Sequence, residues 1–164
     1  MHVKPALPNE FNVIQSIAAR TWPETYGEIL SEDQLGYMLD MMYSVEALNR
    51  NYDDGVLFVL AGEDGDYLGF AGFEHDYRTK GRTHIHKIYV LPEAQGKKVG
   101  RMLMNHIENS AVGNGSESIT LNVNRSNSAR FFYEKSGFSI VESVDIGIGN
   151  GYLMEDYVMR KPLR

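Results

Sequence analysis

His84-Ile-His-Lys-Ile-Tyr-Val-Leu-Pro-Glu-Ala-Gln-Gly-Lys-Lys-Val-Gly100 reads as a strand, a short turn rich in glycine and lysine, and the opening of an amphipathic helix. Lys97, Lys98 and Arg101 crowd the helix start, in a chain whose formal net charge is -6. Cations at a helix N-terminus oppose the macrodipole, so local stability does not account for them. A polyanion resting on the exposed amides of the turn does, because helix N-termini bind phosphate groups well. The ligand expected at this turn carries phosphate.

Outward from this stretch, apolar spacing sets the remaining elements. Residues 2–7 suit a first strand, and Phe11, Ile14, Ile17 and Ala18 mark a helix. Ser31 caps a second helix that carries Leu35, Met38, Leu39 and Met42. Strands follow at 56–61, 67–73 and 83–91, with Glu63-Asp64-Gly65-Asp66 turning the first into the second. A helix runs from about Val99 to Ala111, with Val99, Met102, Leu103, His106 and Ile107 on one stripe. Residues 118–123 form another strand, 128–136 a short helix stopped by Gly137, and Asn150-Gly151 a hairpin turn between the last two strands. The order is β-α-α-β-β-β-α-β-α-β-β. It defines a mixed α/β (α+β) fold, a central mixed sheet covered by helices, in one domain over 1–164.

Composition narrows the function. Hydrophobic content of 43% and charge of 23% are those of a soluble globular protein. No apolar run approaches the roughly 18 residues that a membrane span needs, and the N-terminus lacks the apolar core of a signal peptide. A cytoplasmic protein without a membrane partner is expected. The acidic balance argues against nucleic acid, which calls for a broad basic surface. With no cysteine, thiolate metal sites and cysteine nucleophiles are excluded. The sequence leaves homodimerisation open.

The turn is neither a P-loop nor a dinucleotide fingerprint, and by itself it also fits an ordinary surface turn before a helix. It resembles the pyrophosphate loop of the GNAT superfamily of acyl-CoA-dependent N-acetyltransferases, usually Gln/Arg-x-x-Gly-x-Gly/Ala. Gln95 and Gly100 match the ends, while Lys98 stands where the family usually has its first glycine. Asn127-Ser-Ala-Arg-Phe-Phe-Tyr-Glu-Lys-Ser-Gly-Phe138 resembles a second segment of that family, Asn-x-Ala-x-x-Phe-Tyr-Glu-Lys-x-Gly-Phe. Phe131, Phe132 and Tyr133 are spaced by ~100° on a helix, so one of them must leave the core, and the phenol has the polar reason to do so. Tyr133 is thus a candidate proton donor, against the alternative of a tyrosine packed in an amphipathic helix.

His84 and His86 alternate on a strand and so share a face, expected to be that of Ile88 and Val90. Metal ligation, a proton relay and simple packing all remain open for such a pair. Metal ligation needs a third ligand that no spacing supplies, and none is expected. The pattern is also similar to the arylalkylamine N-acetyltransferases, where such a pair relays the amine proton. Trp22, Tyr26, Tyr37, Met38, Met41, Met42 and Tyr43 crowd the first two helices among Glu24, Glu28, Glu32 and Asp33. That is either core with a solvated acidic face or the lining for a cationic amine.

The resemblance to the superfamily implies a sheet splayed where strand 83–91 parts from strand 118–123. It implies acetyl-CoA as co-substrate, with its pantetheine arm paired to Ile88, Tyr89 and Val90. The pyrophosphate would rest on Gln95, Gly96, Lys97, Lys98, Val99, Gly100 and Arg101, with Asn127, Arg130 and Lys135 as further contacts. Trp22 and Tyr26 would border a small-molecule amine, expected to be a small cationic amine or polyamine. Without cysteine an acetyl-cysteine intermediate is excluded, so direct attack of the amine is expected. His84 or His86 would take its proton, and Tyr133 would protonate the departing sulfur. A silent acetyl-CoA-binding module and a peptide or protein acceptor are the alternatives.

Overall fold

The computed structural model describes residues 1–63 and 65–163. Its strands are β1 (His2–Pro5), β2 (Leu57–Glu63), β3 (Asp66–Glu74), β4 (Arg82–Val90), β5 (Ser118–Asn124), β6 (Ser139–Gly147) and β7 (Leu153–Pro162). Its helices are α1 (Phe11–Tyr26), α2 (Glu32–Tyr43), α3 (Val45–Asp53), α4 (Val99–Gly113) and α5 (Ala129–Lys135). The seven strands form one sheet in the order β1-β2-β3-β4-β5-β7-β6. Every neighbouring pair is antiparallel except β4 and β5. The expected mixed sheet is present, and the expected element order is corrected by one helix. Three helices, not two, separate β1 from β2. The extra one, α3, starts where the Ser44 hydroxyl accepts the Ala47 amide at 3.2 Å. It buries only Ala47 and Leu48 over its nine residues, too little apolar spacing to read as a helix.

Elsewhere local chemistry sets the ends. The Ser31 hydroxyl accepts the Gln34 amide at 3.1 Å and starts α2. Gly149, Asn150 and Gly151 take φ of 92°, 57° and 78°, left-handed values that let the chain turn from β6 into β7. The α4 stripe of Val99, Leu103, Met104 and Ile107 is buried against one face of the sheet. There a Cβ on Gly69 would stand 3.2 Å from Val99 and 3.3 Å from Leu103, so only glycine lets helix and sheet approach this closely. Trp22 of α1 and Tyr43 of α2 cover the other face, with rings near Tyr89 and Phe70. Burying side chains of this size contributes about 1.5–3 kcal/mol each.

Two irregularities position the site. First, β4 and β5 pair only from Arg82↔Ser118 to Ile85↔Leu121. Beyond that point β4 stays with β3 as far as Val90, and β5 stays with β7 as far as Asn124, so the sheet opens between them. Second, the register of β3 with β4 jumps from Gly72↔Lys87 to Phe73↔Ile85, which leaves His86 as an extra, bulged residue. The bulge reverses which face each later residue takes. His84 and His86 therefore do not share a face with Ile88 and Val90, as strict alternation led one to expect. Lys87 and Tyr89 join the histidines on the α1–α2 side. Val90 turns toward α4, where it lies 3.9 Å from the direction of a Cβ on Gly100.

Candidate active site

The opening between β4 and β5 is a cleft of about 910 Å³ that runs to the start of α4. Ile88, Tyr89, Val90, Gln95, Gly96, Lys98, Val99, Gly100, Arg101, Asn127 and Tyr133 all line it. Gly96 has φ of 87°, and Lys98, the residue before α4, has φ of 64° and ψ of 19°. Lys98 thus takes the left-handed conformation that glycine adopts most readily. No side chain caps α4, so its first amides are free for an anion. Lys97 is exposed in the same turn and does not line the cleft. Arg130 and Lys135 do not line it either. The Arg130 guanidinium lies over the rings of Phe131 and Tyr157 and 3.4 Å from Glu134, and Lys135 is exposed.

On α5 it is Phe131, 53% exposed, that leaves the core. Tyr133 is buried in the cleft wall, against Phe132 and Phe138. Burial, then the nearby Tyr26 phenol, raises the Tyr133 hydroxyl above the ordinary phenol range. Asn127 ties this arm to α1: its side-chain oxygen accepts the Ala129 amide at 2.9 Å, and its nitrogen donates to the Tyr26 hydroxyl at 3.5 Å. The Tyr26 and Tyr89 hydroxyls are 2.9 Å apart, so Tyr26 spans both arms of the split.

A second cavity, of about 210 Å³, lies between the sheet and the α1–α2 pair. Trp22, Tyr26, Met38 and Met42 form its helical wall. His84, His86, Lys87, Asn122 and Asp156 supply its polar side, and Asp156 is the one carboxylate on its lining. Glu24 lines the larger cleft, while Glu28, Glu32 and Asp33 lie on neither wall. The hairpin of β6 and β7 borders the cavity through Leu153 and Met154. It is tied to α2 by Tyr37 donating to the Ile148 carbonyl at 2.7 Å and by Gln34 donating to that of Leu153 at 3.0 Å.

The two histidines differ. His84 Nδ1 is 2.7 Å from the Thr120 hydroxyl, and its ring stacks on Tyr77 at 4.6 Å. Burial, reinforced by the charges of His86, Arg82 and Arg78, lowers it to about 3. His86 Nε2 lies 3.0 Å from the Glu74 carboxylate. Burial lowers it too, and Glu74 pulls the other way. Lys87 is 6% exposed and lowered to about 8 by burial alone. Its Nζ lies 5.3 Å from the centre of the Tyr43 ring. Asp156 is 4% exposed and raised by burial, with Asn122 and Arg125 pulling the other way. Glu74, Lys87 and Asp156 were not foreseen. For Lys87 the cause is the bulge, since alternation alone sets it on the side away from the histidines.

Among the described residues no three His, Asp or Glu side chains gather as a metal site would require, and no helix is long and apolar enough to cross a membrane. Acyl transfer from a phosphorylated thioester carrier needs an anion-binding end, an extended groove and an acceptor chamber that opens on the groove. A splayed sheet with α4 at one end and the histidine cavity at the other meets these needs, and the fold is that of an N-acetyltransferase. The chain belongs to the acetyltransferase (GNAT) family, whose model matches residues 12–138. It is 29% identical to a spermidine N(1)-acetyltransferase of Thermoplasma acidophilum, over 89% of this chain and 90% of that one. A ribosomal protein bS18-alanine N-acetyltransferase of Haemophilus influenzae is 30% identical over 61% of this chain and 66% of its own. Among solved structures, the PaiA N-acetyltransferase of Thermoplasma acidophilum in complex with coenzyme A superposes with a TM-score of 0.81 at 25% identity, covering 99% of both chains.

Proposed function

We propose that this acetyltransferase moves an acetyl group from acetyl-CoA directly to the primary amine of a small molecule, with both substrates bound together. The observation that carries this reading is the contact between the two spaces. Tyr26, His86, Lys87, Tyr89 and Asn122 line the cleft and the cavity alike, so an amine in one faces a thioester in the other. Acetyl-CoA supplies the activated carbonyl. The free amides of α4 with Lys98 and Arg101 hold its phosphates. The β4 amides beyond Ile85 that face β5 pair with its pantetheine arm and polarise the carbonyl.

His86 is the base. Glu74 holds its Nε2 as the protonated nitrogen, which leaves Nδ1 free to take the amine proton, directly or through water. His84, at about 3, is too weak a base for this task and orients its neighbour. Tyr133 keeps its proton across the neutral range and gives it to the departing sulfur. The acceptor enters as an ammonium drawn by Asp156. Polyamines are the first such amines to test, since one relative is a spermidine acetyltransferase.

The experiment is free-thiol release from acetyl-CoA across polyamines, arylalkylamines, amino acids, aminoglycosides and peptides. The chain has no cysteine to add background. Release that depends on one amine class supports the transfer and identifies the acceptor. Acetyl-CoA binding without release for any amine would replace the reading with a silent acyl-CoA binder.

A further inference from the structure

Lys87 is the least explained residue of the acceptor cavity. A lysine is almost never this buried without a partner. Yet among the described residues Lys87 makes no ion pair within 4.0 Å and no hydrogen bond. Asp156, the one carboxylate on the same wall, is not within that reach. The face of Tyr43 is its nearest compensation, and a ring quadrupole replaces water poorly for an ammonium. Even lowered to about 8, the group is mostly charged at pH 7. Its nitrogen is not among the fully enclosed unpartnered atoms, so it keeps an opening to the cavity it lines. A chamber walled by a lone, almost fully buried cation lacks an anion to pair with it.

We propose that the acceptor carries a carboxylate besides the amine to be acetylated, and that the Lys87 ammonium is the partner of that carboxylate inside the cavity. This rests on the reading of the cavity as the acceptor site, and it narrows the acceptor from amines in general to amino-carboxylates. The cavity is then bipolar. Asp156 and Asn122 take the amine as it enters, and Lys87 on β4 takes the carboxylate. The volume of about 210 Å³ has room for an amino acid. The charge of Lys87 also acts against acceptors that are cationic along their whole length.

Matched amines that differ only by a carboxylate provide the test: ornithine and putrescine, lysine and cadaverine, phenylalanine and phenethylamine. Binding in the presence of coenzyme A is read from the fluorescence of Trp22, the only tryptophan and part of the cavity wall. Turnover is read from thiol release. In at least one pair the carboxylate member is expected to bind tenfold or more tightly than its partner. Lys87→Met, of similar length and uncharged, should abolish that preference, and Lys87→Arg should keep part of it. Calorimetry with acetyl-CoA confirms that both variants are folded.

Equal binding within every pair, a preference that Lys87→Met leaves intact, or no response to any pair overturns the assignment. Thiol release with polyamines alone would also overturn it, while the transferase reading stands. A carboxylate preference that disappears in Lys87→Met, without thiol release for any amine, would sustain the assignment and remove the transferase.

Discussion

A phenol enclosed by apolar neighbours holds its proton more tightly than one in water, because the phenolate loses most by burial. Tyr133 is therefore suited to donate and unsuited to act as a base. Tyr133→Phe keeps the ring and removes the proton. It should lower kcat by about 10²-fold or more while acetyl-CoA affinity stays within about threefold, as initial rates and calorimetry would read. An unchanged kcat would end its role as the acid. The histidines give a prediction about acid. Both are lowered in the folded chain, so as pH falls the unfolded chain takes up protons first. Their contribution is complete above about 6.5 and is lost below it. For His84, whose folded value is about 3, the loss by pH 5 is about 2 kcal/mol. Melting curves at pH 7 and pH 5 should therefore differ less in His84→Gln than in the parent. In the rate profile His86→Gln should remove the acidic limb and His84→Gln should leave it. The reverse pattern would exchange their roles.

At the scale of elements, the turn before α4 holds a lysine in a conformation that favours glycine. Lys98 accepts φ of 64°, which costs a non-glycine residue about 1 kcal/mol. Lys98→Gly should relieve that strain, offset in part by the freedom glycine adds to the unfolded chain. The expected gain is about 0.5 kcal/mol, or roughly 1–2 °C in Tm, with acetyl-CoA affinity held or improved. A large loss of affinity would mean that the Lys98 ammonium itself grips phosphate. Sequence patterns carried the strands, α1, α2, α4, α5 and the Asn150-Gly151 turn, because each rests on local spacing or on a single turn residue. The split of the sheet rested on the resemblance to a family and not on spacing, and the pairing order of the strands was not read at all. What spacing could not carry was whatever depends on a neighbouring strand. The bulge at His86 exists only in the register of β4 against β3, so the faces of Ile88 and Val90 were misread although every residue was in view. On α5 the reasoning that one aromatic must leave the core was sound. The one that leaves is Phe131, under the Arg130 guanidinium, because the cleft gives Tyr133 a buried place on the other side of the helix.

The molecule as a whole consists of two half-sheets, β1 to β4 and β5 to β7, that share only four paired positions of a parallel ladder. Helix α1 reinforces the joint through Tyr26, which reaches Tyr89 on one side and Asn127 on the other. A ligand that fills the cleft as an added strand would bond to β4 and lie against the other half. It should therefore stabilise the molecule and do so locally. At a concentration of 100 times its Kd, acetyl-CoA stabilises the folded chain by about 2.7 kcal/mol, which for a chain of this length raises Tm by roughly 5–10 °C. Hydrogen exchange distinguishes an added strand from a ligand held by its phosphates alone. In the first case the β4 amides beyond Ile85 that face β5 gain protection together with those at the start of α4, while the amides between β1 and β2 keep their rates. In the second case only the turn and the start of α4 slow down. Protection confined to α4 would leave Ile88, Tyr89 and Val90 as walls of the cleft and would remove the backbone of β4 from the chemistry.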